Sequence, residues 1–172
     1  MEKERFMAEE REAEMDRIVR EYGDAVLRLC FMYLHDLNLA EDTAQDSFIK
    51  IDRHLSSFRA ESNEKTWIMR IVTNTCRDYY RTAWMRHVDR RTSLEDLDLP
   101  AAEGAERDRE VLRAVMALSR PLREVVLLRY YQNMKIAEIA QALHLSVSGV
   151  NKRLRKALDE LKPELREAYF DA

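Results

Sequence analysis

An all-α fold of two small helical domains joined by a flexible linker, the C-terminal one containing a helix-turn-helix, is what this sequence predicts. Three observations carry it. The chain has 172 residues with only three Gly and three Pro, too few turn residues for the closely spaced reversals of a sheet or sandwich. Apolar residues recur at three- and four-residue steps along most of the chain, the period of helices with one face inward. Between His87 and about Arg107 that period lapses and one Pro and one Gly appear, which marks a linker. The resulting division is a domain over 11–86, a linker over 87–107, a domain over 108–162 and a tail over 163–172.

The first helix follows from Met15, Ile18, Val19, Tyr22, Val26, Leu29 and Tyr33, and ends near His35. Asp36-Leu37-Asn38 makes the turn. In the second helix Leu39, Thr43, Ala44, Phe48, Ile51 and Leu55 face inward, leaving Glu41, Asp42, Gln45, Asp46 and Asp52 outside. A polar loop follows over 56–63, and Ser62 or Asn63 caps the third helix, from about Glu64 to Met85. There, at 100° per residue, Ile68, Val72, Thr75 and Tyr79 point at the core. Arg70, Asn74, Arg77 and Arg81 share the opposite stripe, with Trp67, Tyr79, Tyr80 and Trp84 around them.

In the C-terminal domain Val111, Leu112, Val115, Met116 and Leu118 form one short helix. Pro121 opens the next at its first turn, where a missing N–H costs nothing. Ile136, Ile139, Ala140 and Leu143 make a third. Ser146 then caps a last helix with Val150, Leu154, Ala157 and Leu161 inward and Ser148, Gly149, Lys152, Arg155 and Lys156 outward, Arg153 on the flank. Small Ala140 at the crossing and β-branched Val150 as anchor have helix-turn-helix spacing. The turn position carries His144, a residue that tolerates left-handed backbone.

Composition narrows the function classes. Hydrophobic residues at 46% and charged residues at 35% describe neither a disordered nor a membrane-embedded chain. No apolar run approaches the roughly 20 residues that span a bilayer. The charged N-terminus MEKERFMAEEREAEMDR is unlike a signal peptide, so a cytoplasmic protein without membrane insertion is expected. Cys30 and Cys76 lack metal spacing and read as buried reduced thiols. His35, His54, His87 and His144 are scattered, and no phosphate loop or nucleophile motif occurs. No catalytic residue, metal or cofactor is therefore expected.

The net charge of −3 hides segregation. Residues 1–57 carry −6, 58–91 carry +4, 92–110 carry −5 and 111–162 carry +6. Two basic blocks are what surfaces that meet polyanions show. Forked Arg donors and an Asn amide on one stripe suit phosphates and base edges, and aromatics beside them suit stacking of single strands. A solvated basic face over an aromatic core has the same pattern.

Taken in order, these motifs resemble the extracytoplasmic-function (ECF) group of bacterial sigma factors over about Tyr22 to Leu161. The resemblance lies in AEDTAQDSF (40–48), TWIMRIVTNTCRDYYR (66–81), LSRPLREVVLLRYYQNMKIAEIAQALHLS (118–146) and VNKRLRKALDEL (150–161). It implies regions 2 and 4 of a non-enzymatic subunit that binds RNA polymerase core, recognises promoter DNA and assists melting. Asp42, Gln45, Asp46 and Phe48 would meet the β′ clamp helices, and the C-terminal domain the β flap. Arg59, Trp67, Arg70, Asn74, Arg77 and Arg81, with the loop 58–65, would hold the −10 element. Ser146, Ser148, Lys152, Arg153, Arg155 and Lys156 would read the −35 element. Where the family commonly has Gly-Thr-Val-Lys-Ser-Arg, this chain has Ser148-Gly149-Val150-Asn151-Lys152-Arg153, so individual base contacts do not transfer. Many relatives are held by an anti-sigma factor, which adds that partner class. A duplex-binding regulator explains residues 108–162 equally well, but neither the acidic second helix nor the Arg/Asn stripe. A helical adaptor without nucleic acid is the third reading.

Overall fold

A computed structural model describes residues 2–58, 63–85 and 105–170. Among them all regular structure is helical. The elements are α1 (Glu2–Leu34), α2 (Leu37–His54) closing in a 3₁₀ turn (Leu55–Ser57), and α3 (Glu64–Met85). They continue with α4 (Ala105–Ala117), α5 (Arg120–Val126) running into a π-turn (Leu127–Tyr131), α6 (Ile136–Leu143) and α7 (Val147–Phe170). Among the described residues no helix is long and apolar enough to cross a membrane.

The reversal from α1 to α2 is tighter than the expected Asp36–Asn38 turn. His35 takes the left-handed conformation (φ 60°), and its N–H closes on the Phe31 carbonyl at 2.8 Å. Asp36 then caps α2 by accepting from the Leu39 N–H at 2.9 Å, so Leu37 and Asn38 already belong to the helix. Ala40, Thr43, Ala44, Ser47 and Ile51 are the buried face of α2. The two hydroxyls there donate to carbonyls four residues back, Thr43 to Leu39 at 2.6 Å and Ser47 to Thr43 at 2.7 Å, which satisfies them without leaving the helix. Ile68, Val72, Thr75 and Cys76 of α3 are buried against α1 and α2. Replacing fully buried Ile68 by Ala should cost about 2–5 kcal/mol, read as a shift in the denaturant midpoint.

Pro121 stands in the first turn of α5, as its missing N–H allows. The chain leaves the π-turn through Asn133, a second left-handed residue (φ 52°), and Lys135 enters α6 with its N–H on the Glu138 side chain at 2.7 Å. Val150, Leu154, Ala157 and Leu161 of α7 are buried against α4, α5 and α6. Two ends differ from the sequence expectation. α7 does not stop near 162 but continues through Pro163 to Phe170, the proline removing one N–H from the ladder without ending it. α4 starts at Ala105, inside the stretch expected to be linker, and the rest of that stretch lies outside the described residues.

The two helical units are pressed together. α3 packs along α6, and α1 touches α5. This explains why α1 is amphipathic through its middle, with Val19 exposed despite its place in the apolar period, yet buried all round from Leu29 to Leu34.

Candidate nucleic-acid and protein interfaces

Four side chains on α2 were singled out by pattern, and the fold separates them. Asp42 and Gln45 are exposed on the face opposite Thr43, Ala44 and Ser47. Asp46 is half-buried and accepts from the Tyr79 hydroxyl of α3 at 3.3 Å. Burial and the acidic neighbours push that phenol above its usual range. Phe48 packs partly buried against the core. Exposed Ile49 lies beside this acid-and-amide surface. Asp52 bounds it, held by Arg11 of α1 at 2.6 Å, a salt bridge made by the N-terminal extension.

On α3 the Arg/Asn stripe does lie away from the α2 side, as the 100° period requires. Arg70 and Asn74 are half-buried and Arg81 is exposed, its guanidinium 3.4 Å from Asp78. Arg77 is engaged elsewhere. Its Nε and Nη2 donate to the two carboxylate oxygens of Glu124 on α5, at 3.1 and 2.7 Å. The aromatics are engaged too. Trp67 is not an open stacking platform: it is buried, with its ring 4.9 Å from Phe58. Tyr80 meets Tyr33 edge-on at 6.4 Å, and Arg120 sits over its ring at 5.4 Å. Arg59 and the side chain of Trp84 lie outside the described residues. Arg77, Asp78, Tyr80 and Arg81 form one wall of an open cleft of about 620 Å³, and Arg120 and Pro121 the other.

The helix-turn-helix is formed by α6 and α7. His144 adopts the left-handed conformation (φ 55°, ψ 45°) that ends α6, and the Leu145 N–H reaches the Ala140 carbonyl at 2.9 Å. A helix ended by an αL residue satisfies its last carbonyls this way, so histidine fills a role more often taken by glycine. Ser146 caps α7, its Oγ accepting from the Gly149 N–H at 3.1 Å. A Cβ at position 149 would come within 3.2 Å of that oxygen, so glycine there keeps the cap tight. Ser146, Ser148, Lys152, Arg155 and Lys156 are exposed together. Arg153 is half-buried, and its charge acts on Glu124. It therefore belongs to the flank toward α5 rather than to the open face. Among the described residues no group of three His, Cys, Asp or Glu could hold a metal ion. Cys30 and Cys76 lie 3.7 Å apart in the core, and their hydrogen bond together with burial raises the Cys76 thiol far above its usual range. Such a thiol is a packing group.

Sequence reasoning missed the residues that join the two units. Glu124 is 3% exposed on its side chain and also accepts from the Tyr33 hydroxyl of α1. Burial pushes its carboxyl up to about 7. Arg123 donates to the Met116 carbonyl at 2.6 Å and lies 2.8 Å from His35 Nε2. Burial first, then that guanidinium, holds His35 down at about 4, so the imidazole is the neutral acceptor. Gln132 donates to the Ala25 carbonyl of α1 at 3.3 Å. The signal was present as an Arg-Glu pair between Leu122 and Val125 in an otherwise apolar run, but no local period says what such a pair faces.

Comparison with known proteins agrees along most of the chain. The model of Sigma-70 region 2 matches residues 18–86, and that of Sigma-70, region 4 matches residues 108–161. The RNA polymerase sigma-H factor of Pseudomonas aeruginosa is 30% identical over 171 residues, covering 89% of each chain. The ECF RNA polymerase sigma factor SigW of Bacillus subtilis is 28% identical, covering 87% of this chain and 88% of its own. Among solved structures, the sigma factor RpoE of Bartonella quintana, in complex with the anti-sigma factor NepR, superposes with a TM-score of 0.72 at 18% identity. That match covers 89% of this chain and 97% of the other, a likeness of fold.

Proposed function

Since the chain belongs to the sigma-70 family, in its ECF group, we propose that α2, α3 and α7 divide between them the work of an alternative sigma factor. Such a factor binds RNA polymerase core, directs it to promoters and assists melting. It acts here by binding alone, in the cytoplasm where core polymerase is, with no bond made or broken. The exposed Asp42–Gln45 surface of α2 meets the basic clamp helices of β′. The Arg70–Asn74–Arg81 stripe takes the opened −10 element. The exposed face of α7 enters the major groove at −35, and the same domain meets the β flap. An anti-sigma factor is a further partner of the kind that RpoE of Bartonella quintana binds.

One observation carries this reading: a single chain presents an exposed acid-and-amide face on α2 and an exposed basic face on the second helix of a helix-turn-helix. A duplex-binding regulator would use the second and have no use for the first. Run-off transcription with purified core on genomic fragments tests it. The chain should confer start sites that core alone does not use, and absence of any new start site would sink the proposal. On a promoter so found, Lys152→Ala and Arg155→Ala should each weaken duplex binding and lower the slope of log K against log salt by about one unit. An unchanged slope would remove α7 from the groove.

A further inference from the structure

Of the residues that the pattern of α7 assigns to the upstream duplex, most are engaged within the chain. The Ser146 Oγ accepts from the Gly149 N–H and lies 3.1 Å from the Ser148 Oγ. Arg153 is half-buried toward Glu124 of α5, and the Lys156 ammonium stands 3.9 Å from Glu160. Lys152 and Arg155 remain, and both are long cations suited to phosphate or guanine. Neither has the paired donor and acceptor, or the apolar surface, that singles out an A·T pair.

Two further residues of α7 do. Val147 is 50% exposed in the first turn, and Asn151 is exposed one turn on. The Asn151 amide has no hydrogen-bond partner among the described residues. At 100° per residue the two lie about 40° apart, on one edge of the exposed face. Buried Val150 and Leu154 fix the rotation of the helix about its axis, so that edge stays outward. Depth matters as well. Asparagine is short, and its amide reaches a base only where the backbone comes close. The turn ahead of it, Ser146-Val147-Ser148-Gly149, carries no long side chain to hold α7 off the groove floor. Four residues advance the helix by about 6 Å, just under two base steps of about 3.4 Å.

We propose that Asn151 and Val147 set the base preference of α7 in the upstream element. Asn151 takes an adenine, its amide N–H donating to N7 and its carbonyl accepting from the N6 amino group. Val147 packs on the C5-methyl of a thymine within two base pairs of that adenine. Asn151 stands where the ECF pattern commonly has Lys, so this preference is the chain's own. The assignment rests on the reading of α7 as the helix that enters the groove.

The test uses the full chain bound to polymerase core and duplex promoters found by run-off transcription, with the −10 region held constant. Replacing each upstream adenine in turn by 7-deazaadenine removes N7, and replacing each thymine by deoxyuridine removes the methyl. At one adenine the first change should weaken wild-type binding roughly tenfold. At one thymine within two pairs of it, the second should weaken binding about threefold. Asn151→Ala should erase only the first penalty, and Val147→Ala only the second. Asn151→Lys should move the preferred base at that position from adenine to guanine, which a merely structural asparagine would not do. Penalties that persist in the alanine variants, or that are absent from the wild type, would overturn the assignment. Lys152→Ala separates the two ideas. A reduced salt slope beside persistent penalties removes Asn151 and Val147 from base reading and leaves α7 in the groove, whereas an unchanged slope overturns both.

Discussion

Asp42→Lys combined with Gln45→Ala is expected to weaken association with polymerase core by roughly 30-fold, about 2 kcal/mol, by placing a like charge against a basic surface. Deleting one exposed charge would not suffice, because a solvated ion pair contributes only about 0–1 kcal/mol. The fold should be spared. Thr43, Ala44, Ser47 and Ile51 carry the packing of α2, and both substituted side chains are exposed. Fluorescence anisotropy with labelled chain reads the affinity, and a thermal melt checks the fold. An unchanged dissociation constant at an unchanged melting temperature would take the α2 face out of the polymerase interface.

The second large effect concerns melting. Arg70→Ala with Asn74→Ala should leave core binding and docking at the upstream duplex intact, since α2 and α7 are untouched. The open complex should fall by about 30-fold, taking about 1 kcal/mol for each lost contact. Permanganate reactivity of the −10 thymines reports it directly, and a pre-melted template should rescue it in part. Arg77 is left out of this pair because it is bound to Glu124 of α5, so its loss would also leave a buried carboxylate without its partner. Normal permanganate reactivity would leave the stripe as a solvated face.

Helix periodicity made much of this molecule legible. Ile68, Val72 and Thr75 were placed inward by the 100° rule and are buried. So are Val150, Leu154, Ala157 and Leu161, and the turn at His144 falls where the spacing put it. Such features are local: an apolar residue every three or four positions specifies its own face whatever lies beyond. Where periodicity misled, something outside the helix intervened. Val19 keeps the apolar phase of α1 but is 45% exposed, and Trp67, expected as an aromatic beside the stripe, is buried against Phe58.

The sequence by itself determined the helices, the faces they bury, the helix-turn-helix and the separation of acidic from basic surfaces, because each depends on residues within a few turns of one another. Only the tertiary structure decided which charges are available. Arg77 looks unpartnered when partners are sought at four-residue spacing, and its partner lies 47 residues away on α5. His35, half-buried at the end of α1, becomes a neutral acceptor only because Arg123 arrives from 88 residues along the chain. A charge pattern fixes what a surface could bind, but occupancy depends on desolvation and on geometry between distant helices, and neither has a period that a sequence can display.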